Sequence, residues 1–66
     1  MNRKLLLEKS MQHGLSVGEL ALILKVHKST MYRRLAGKYG FKIGEIEKLR
    51  YILSLSETDI LNIFFD

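Results

Sequence analysis

Apolar residues recur along the chain at intervals of three and four positions rather than at every second position. This spacing is typical of amphipathic helices, because positions three and four apart lie on one face of a helix. Five such stretches follow one another, separated by Gly, Ser or a short polar corner, and no Pro interrupts them. The pattern predicts an all-α fold, a compact bundle of five helices formed by residues 1–66 as a single domain.

Local signals predict where the helices begin and end. Gly14 and Gly37 are natural C-terminal stops. Ser16 and Ser56, each followed by an acid three residues later, are typical of capping boxes. Together these signals predict helices over residues 3–13, 17–24, 28–36, 43–54 and 57–64. Leu7 and Met11 are expected to share one face of the first helix. The residues expected to face the core elsewhere are Leu20, Ala21, Leu24, Met31, Leu35, Phe41, Ile46, Leu49, Leu53, Ile60 and Phe64.

Length and composition exclude several classes of function. The chain has 66 residues and no Cys, and its two His residues have no metal-ligating partners near them in sequence. We therefore expect no metal and no cofactor. We also expect that the protein is not an enzyme, because so small a core leaves no room for a substrate cavity of several hundred Å3. The only run of three Leu, residues 5–7, is too short for a signal peptide or a membrane span, which predicts a cytoplasmic protein without a targeting segment.

The positive charge is concentrated in the middle of the chain. The formal net charge is +4, and residues 20–44 contain six Lys or Arg and no acid, whereas residues 45–66 contain five acids against two basic residues. A charge separated in this way gives one side of a small domain a positive field that attracts polyanions. The distribution therefore favours a polyanionic partner.

A family resemblance is carried by the stretch LSVGELALILKVHKSTMYRRLAG, residues 15–37. It resembles the helix-turn-helix of the phage-repressor and Cro-like (XRE) family, which typically reads L-T-Q-x-x-L-A-x-x-x-G-V-S-x-x-T-[apolar]. The tail FKIGEIEKLRYILSLSETDILNIFF is similar to the last two helices of small prophage-encoded regulators, so the likeness covers about residues 4–65. The residues in step with the pattern are Leu15, Ser16, Leu20, Ala21, Val26, Ser29, Thr30 and Met31.

The resemblance implies a lambda-repressor-like fold and sequence-specific binding of double-stranded DNA by a transcriptional regulator, with helices 2 and 3 as the helix-turn-helix. The third helix would enter the major groove, with Lys28, Ser29, Arg33 and Tyr32 at the bases. Arg and Lys favour the O6 and N7 edge of guanine, which predicts at least one G·C pair in each half-site. Tyr32 would reach either a phosphate or a thymine methyl group. The residues expected to contact the DNA backbone are His27, Lys25, Lys38, Tyr39 and Lys42.

Three positions depart from the family pattern. Val17 stands where the family usually has a Gln that binds a phosphate. Lys25 replaces the usual Gly at the corner, so either the backbone there is strained or the turn differs and the ammonium gains a phosphate. Arg34 occupies a position that is often apolar, with Leu35 beside it taking over the packing, and the sequence assigns Arg34 no role.

Members of the family usually bind as dimers to two half-sites about one DNA turn apart. Phe65 follows the predicted core residue Phe64, so it is expected either to cover the core or to belong to a homodimer interface. The alternative function is a protein-interaction module on the same fold, such as an antirepressor or an antitoxin-like subunit. The loss of the Gln at Val17 favours that alternative.

Overall fold

The computed structural model describes residues 1–37 and 40–65. Within them five helices follow one another and no strand is formed, which confirms the predicted all-α architecture. The second and fifth helices have the predicted bounds, whereas the first, third and fourth end one or two residues earlier than predicted. The helices are α1 (Arg3–Gln12), α2 (Val17–Leu24), α3 (Lys28–Leu35), α4 (Ile43–Ile52) and α5 (Glu57–Phe64).

Both predicted capping boxes are present. Ser16 Oγ accepts the backbone N–H of Glu19 at 3.1 Å, and the Glu19 carboxylate accepts the N–H of Ser16 at 3.0 Å. Ser56 and Asp59 form the same pair of bonds at the start of α5, each at 3.0 Å. The N–H bond from the Ser backbone is the main reason why the pKa of each carboxyl lies below its ordinary value. In both short helices, α2 and α5, the capping Ser therefore satisfies a backbone N–H of the first turn that has no partner within the helix.

Every helix contributes one fully buried apolar side chain to a single core. α2 packs chiefly on α3, and α1 packs on α5. Asn2 strengthens the second pairing, because its backbone N–H donates to the Ile63 carbonyl oxygen at 2.7 Å while its side chain caps α1. The fully buried residue of each helix, in chain order, is Leu6, Leu20, Met31, Leu49 and Ile63.

The face of α1 that carries Leu7 and Met11 is not the one that packs most deeply. Met11 is 78% exposed and Leu7 only half-buried, whereas Leu6 and Ser10 are buried. Ser10 is accommodated because its hydroxyl donates to the Leu6 carbonyl oxygen at 3.0 Å. Three consecutive Leu place an apolar residue on neighbouring faces of the helix, so the apolar spacing alone does not select which face packs.

The C-terminal helices show a similar shift. Leu49 and Leu53 are buried as predicted, but Ile46 is only partly buried. On α5, Ile63 is fully buried, while the predicted Ile60 and Phe64 pack against the core with part of their surface exposed. Positions 60, 63 and 64 lie on one face of a helix, and Ile63 is central on it.

Phe41 packs against the core as predicted, with its ring edge-on to that of Phe64 at a centroid distance of 5.7 Å. Across the described helices, none has both the length and the apolar character that crossing a membrane requires.

Candidate nucleic-acid interface

The corner between α2 and α3 consists of Lys25, Val26 and His27. Lys25 ends α2 in the left-handed conformation, with φ 57° and ψ 41°. The Val26 N–H donates to the Ala21 carbonyl oxygen at 3.0 Å, which closes the end of the helix. The strained alternative for Lys25 is therefore the correct one, and it costs about 1 kcal/mol relative to Gly.

His27 is the residue that caps α3. Its Nδ1 accepts the backbone N–H of Ser29 at 3.3 Å and lies 2.9 Å from the Ser29 hydroxyl. With Nδ1 as the acceptor, the neutral imidazole carries its proton on Nε2. His27 is exposed, so this N–H is free to donate to a group outside the protein. The sequence singled out His27 for the DNA backbone but did not predict that it also caps the helix.

The faces of α3 are divided as the sequence predicted. Met31 and Leu35 are buried against the core, with exposures of 0% and 6%. The four residues predicted to contact bases all lie on the exposed surface of the helix, and they are Lys28, Ser29, Tyr32 and Arg33. The structure therefore brings them together on one outer surface, which we call the α3 outer face.

Lys28 extends towards the start of α2. A Cβ atom built on Gly18 would lie 3.7 Å from Lys28 Cε and 3.8 Å from its Nζ. The ammonium thus lies beside the first turn of α2, where the backbone N–H groups of a helix favour anions. The Lys28 side chain spans both helices at one edge of the α3 outer face.

Arg34 has a role that the sequence did not reveal. It is only 9% exposed, and its Nη1 donates to the Glu45 carboxylate and to the Gly40 carbonyl oxygen, the latter at 3.3 Å. Its guanidinium lies over the Phe41 ring, 5.9 Å from the centroid. The position is therefore buried, but the side chain is held by polar contacts. No spacing rule links residues eleven apart in sequence, so no sequence signal indicated this pair.

Lys42 is the N-cap residue of α4 and is exposed. Its backbone N–H donates to the Glu45 carboxylate at 2.8 Å. Lys38 and Tyr39, the remaining residues predicted to contact the DNA backbone, lie outside the described residues.

The cations of the α3 outer face and its surroundings are not neutralised within the described part of the chain. Two ion pairs are formed within the described residues. They are Arg34–Glu45 and, between α1 and α5, Lys9–Asp59 at 3.5 Å. At the α2–α3 corner, on α3 and at the start of α4, the exposed cations without an ion pair in that part of the chain are Lys25, Lys28, Arg33 and Lys42. Elsewhere in the described residues Arg3, Lys4, Lys48 and Arg50 are also exposed and unpaired. The positive field expected from the sequence is therefore directed outward on this side.

A cleft of about 310 Å3 opens beside Arg34, and Phe41, Phe64 and Phe65 are among its lining residues. Phe65 is 69% exposed, so it does not cover the core as one of the two predictions for it required. Within residues 1–37 and 40–65, no cluster of three or more His, Asp or Glu side chains is placed to hold a metal ion.

No protein-family model, no curated protein and no solved structure matches this chain. The likeness to the phage-repressor and Cro-like family therefore rests on its own residues, chiefly those of α2, the corner and α3.

Proposed function

We propose that this protein is a sequence-specific regulator that binds double-stranded DNA, with α2 and α3 as a lambda-repressor-like helix-turn-helix. The observation that carries the proposal is the α3 outer face. It presents four hydrogen-bonding side chains outward from a helix that Met31 and Leu35 anchor to the core. A helix anchored on one side and cationic on the other is suited to the major groove.

The side chains of the α3 outer face divide by chemistry. Arg33 donates two parallel bonds to guanine, and Lys28 binds either the same edge or a phosphate beside the start of α2. Ser29 specifies little, and Tyr32, which is 53% exposed, reaches a thymine methyl group or a phosphate. The groups proposed for the DNA backbone are His27, Lys25 and Lys42, together with Lys38 and Tyr39 from the sequence prediction.

One module of this size makes few contacts, so we propose that two copies bind two half-sites about one DNA turn apart. The exposure of Phe65 supports a place for this residue in a homodimer interface, because burying a large exposed aromatic side chain on association is favourable.

The deciding experiment is a selection of binding sites from random duplexes with the purified protein. We expect a palindromic motif with at least one G·C pair per half. Its binding constant should fall steeply as salt is raised, because cations that contact phosphates release counterions. Arg33→Ala should relax specificity at one base and should reduce the free energy of binding to the selected site by about 1–3 kcal/mol.

Arg50→Ala is the matched control, because Arg50 is an exposed arginine on α4, outside the α3 outer face. It should leave the selected motif and its affinity unchanged. Selection without any enriched motif would contradict specific DNA recognition.

The second candidate function is a protein-interaction module on the same fold. Val17 packs against the core, so the phosphate-binding side chain of the family is replaced by an internal contact. Ile43 and Tyr51 on α4 are 80% and 87% exposed, which leaves apolar surface for a protein partner. Equal binding to all DNA sequences, or no binding at about 100 mM salt, would favour this candidate.

A further inference from the structure

A buried ion pair that DNA contact does not use joins α3 to α4. Arg34 Nη1 donates to Glu45 Oε1, and the same oxygen accepts the backbone N–H of Lys42 at 2.8 Å. Arg34 also donates to the Gly40 carbonyl oxygen at 3.3 Å. One guanidinium and one carboxylate thus connect the last turn of α3, the chain at Gly40 and the first turn of α4.

This connection lies between two proposed DNA contacts. Arg33 precedes Arg34 on the last turn of α3 and points outward, and Lys42 is exposed at the start of α4. The proposed base contact, Arg33, is next to Arg34 in sequence, and the proposed backbone contact, Lys42, is hydrogen-bonded to Glu45. Their separation depends on how Arg34 and Glu45 hold the two helices.

We propose that Arg34 is a positioning residue for DNA recognition, which sets Lys42 in register with Arg33 through Glu45. The proposal rests on the proposed function, since it concerns how the same surface meets DNA. Arg34 itself touches no DNA in this scheme, because its side chain is 10% exposed and its Nη1 already has two acceptors.

A purely stabilising role fits this pair poorly. Taking two charges out of water costs about as much as their attraction returns, so apolar residues of similar volume often replace a buried pair without loss of stability. Arg34 does supply geometry, because its Nη1 alone bonds acceptors on two different segments, while its Nε is buried without a hydrogen-bond partner. Stability and register can therefore be separated by mutation.

The test compares the wild type with the double variant Arg34→Met and Glu45→Met. We expect the double variant to fold, with an unfolding temperature within about 5 °C of the wild type. Its affinity for the selected site should fall about tenfold, a loss comparable to one mismatched base pair. The slope of log K against log salt should shrink by about 0.9, which corresponds to the phosphate contact of Lys42.

Lys9→Met is the matched control, since it removes the other interhelical ion pair, Lys9–Asp59. It should change neither the affinity nor the salt slope. Arg34→Lys tests the same point in a variant that keeps the charge. Because a lysine ammonium does not reproduce the planar guanidinium that lies over the Phe41 ring, it should also lower affinity and reduce the salt slope.

A folded double variant with wild-type affinity and slope would overturn the proposal. If the double variant does not fold, Arg34→Lys decides, and wild-type binding by that variant overturns the proposal equally. Failure of the proposed function is distinguishable, because the wild-type protein itself would then bind no specific site.

Discussion

The corner between α2 and α3 and the corner between α4 and α5 use the same backbone conformation and lead into helices of opposite charge. Each contains a non-glycine residue at positive φ, Lys25 at 57° and Ser54 at 51°. Each leads into an eight-residue helix with a side-chain cap. After the first corner α3 presents cations, whereas the first turn of α5 carries the acids Glu57 and Asp59.

The difference shows that the corner geometry does not by itself distinguish the helix that we propose to bind DNA. What distinguishes α3 is the charge of its outer face and the absence of acids from residues 20–44. The acids of α5 lie in its first turn, where negative charge is favoured by the positive N-terminal end of the helix dipole. Charge at that corner serves the fold, and charge at the α2–α3 corner remains available for a partner.

The largest effect should come from breaking the contact between the two halves that contain these corners. Arg34→Ala leaves the Glu45 carboxylate, whose side chain is 12% exposed, without its cation. We expect a loss of about 3 kcal/mol in the free energy of unfolding, measured by urea denaturation. Arg33→Ala, at the exposed neighbour, should change it by less than about 0.5 kcal/mol. Equal losses at both positions would contradict the assignment of one arginine to the interior and the other to the surface.

An intermediate effect should come from relieving the strain at the two corners. Lys25→Gly and Ser54→Gly should each raise the free energy of unfolding by about 0.5–1 kcal/mol, because relief of the positive φ exceeds the entropy that Gly adds to the unfolded chain. Thermal unfolding measures this gain.

Only Lys25→Gly should also alter DNA binding, by reducing the salt slope by about 0.9. Lys25→Ala removes the ammonium while keeping the strain, so it should reduce the slope without a gain in stability. A change of slope in Ser54→Gly would remove the distinction between the corners.

The smallest effect should appear in acid, and it concerns the capping boxes that precede α2 and α5. The pKa of Glu19 and of Asp59 is lowered from its ordinary value, 4.5 and 3.8 respectively, mainly by the N–H of the capping Ser. The unfolded chain therefore binds more protons, so stability rises with pH across this range. The contribution of each box is complete above the ordinary value and is lost as the pH falls through the lowered pKa.

Thermal unfolding between about pH 6 and pH 3 measures this loss. Glu19→Gln should make it smaller, because Gln keeps the capping bond without a titrating group. The same curve in Glu19→Gln as in the wild type would show that this box does not contribute.

Much of the fold could be predicted because its signals act within one or two helical turns. The boxes at Ser16 and Ser56 located the starts of α2 and α5, and the stops at Gly14 and Gly37 located the ends of α1 and α3 to within one residue. The division of α3 into an inner face with Met31 and an outer face with Arg33 followed from the angle between successive residues. A strained backbone at Lys25 was one of the two alternatives that the sequence left open.

The inner face of α1 could not be predicted, because Leu5, Leu6 and Leu7 offer apolar surface on neighbouring faces. The choice between Leu6 and Leu7 depends on how α1 lies against α5. The orientation of α1 against α5 cannot be predicted from the residue pattern alone.

The sequence by itself determined the helices, the capping boxes of α2 and α5 and the outward cations of α3, since each depends on residues three or four positions apart. Only the tertiary structure decided the burial of Arg34 and its pairing with Glu45. Those residues meet because two helices and the chain between them bring them together, and a buried charge must then find a partner. Contacts of that kind depend on the packing of the whole core, which cannot be predicted from the spacing of residues along one helix.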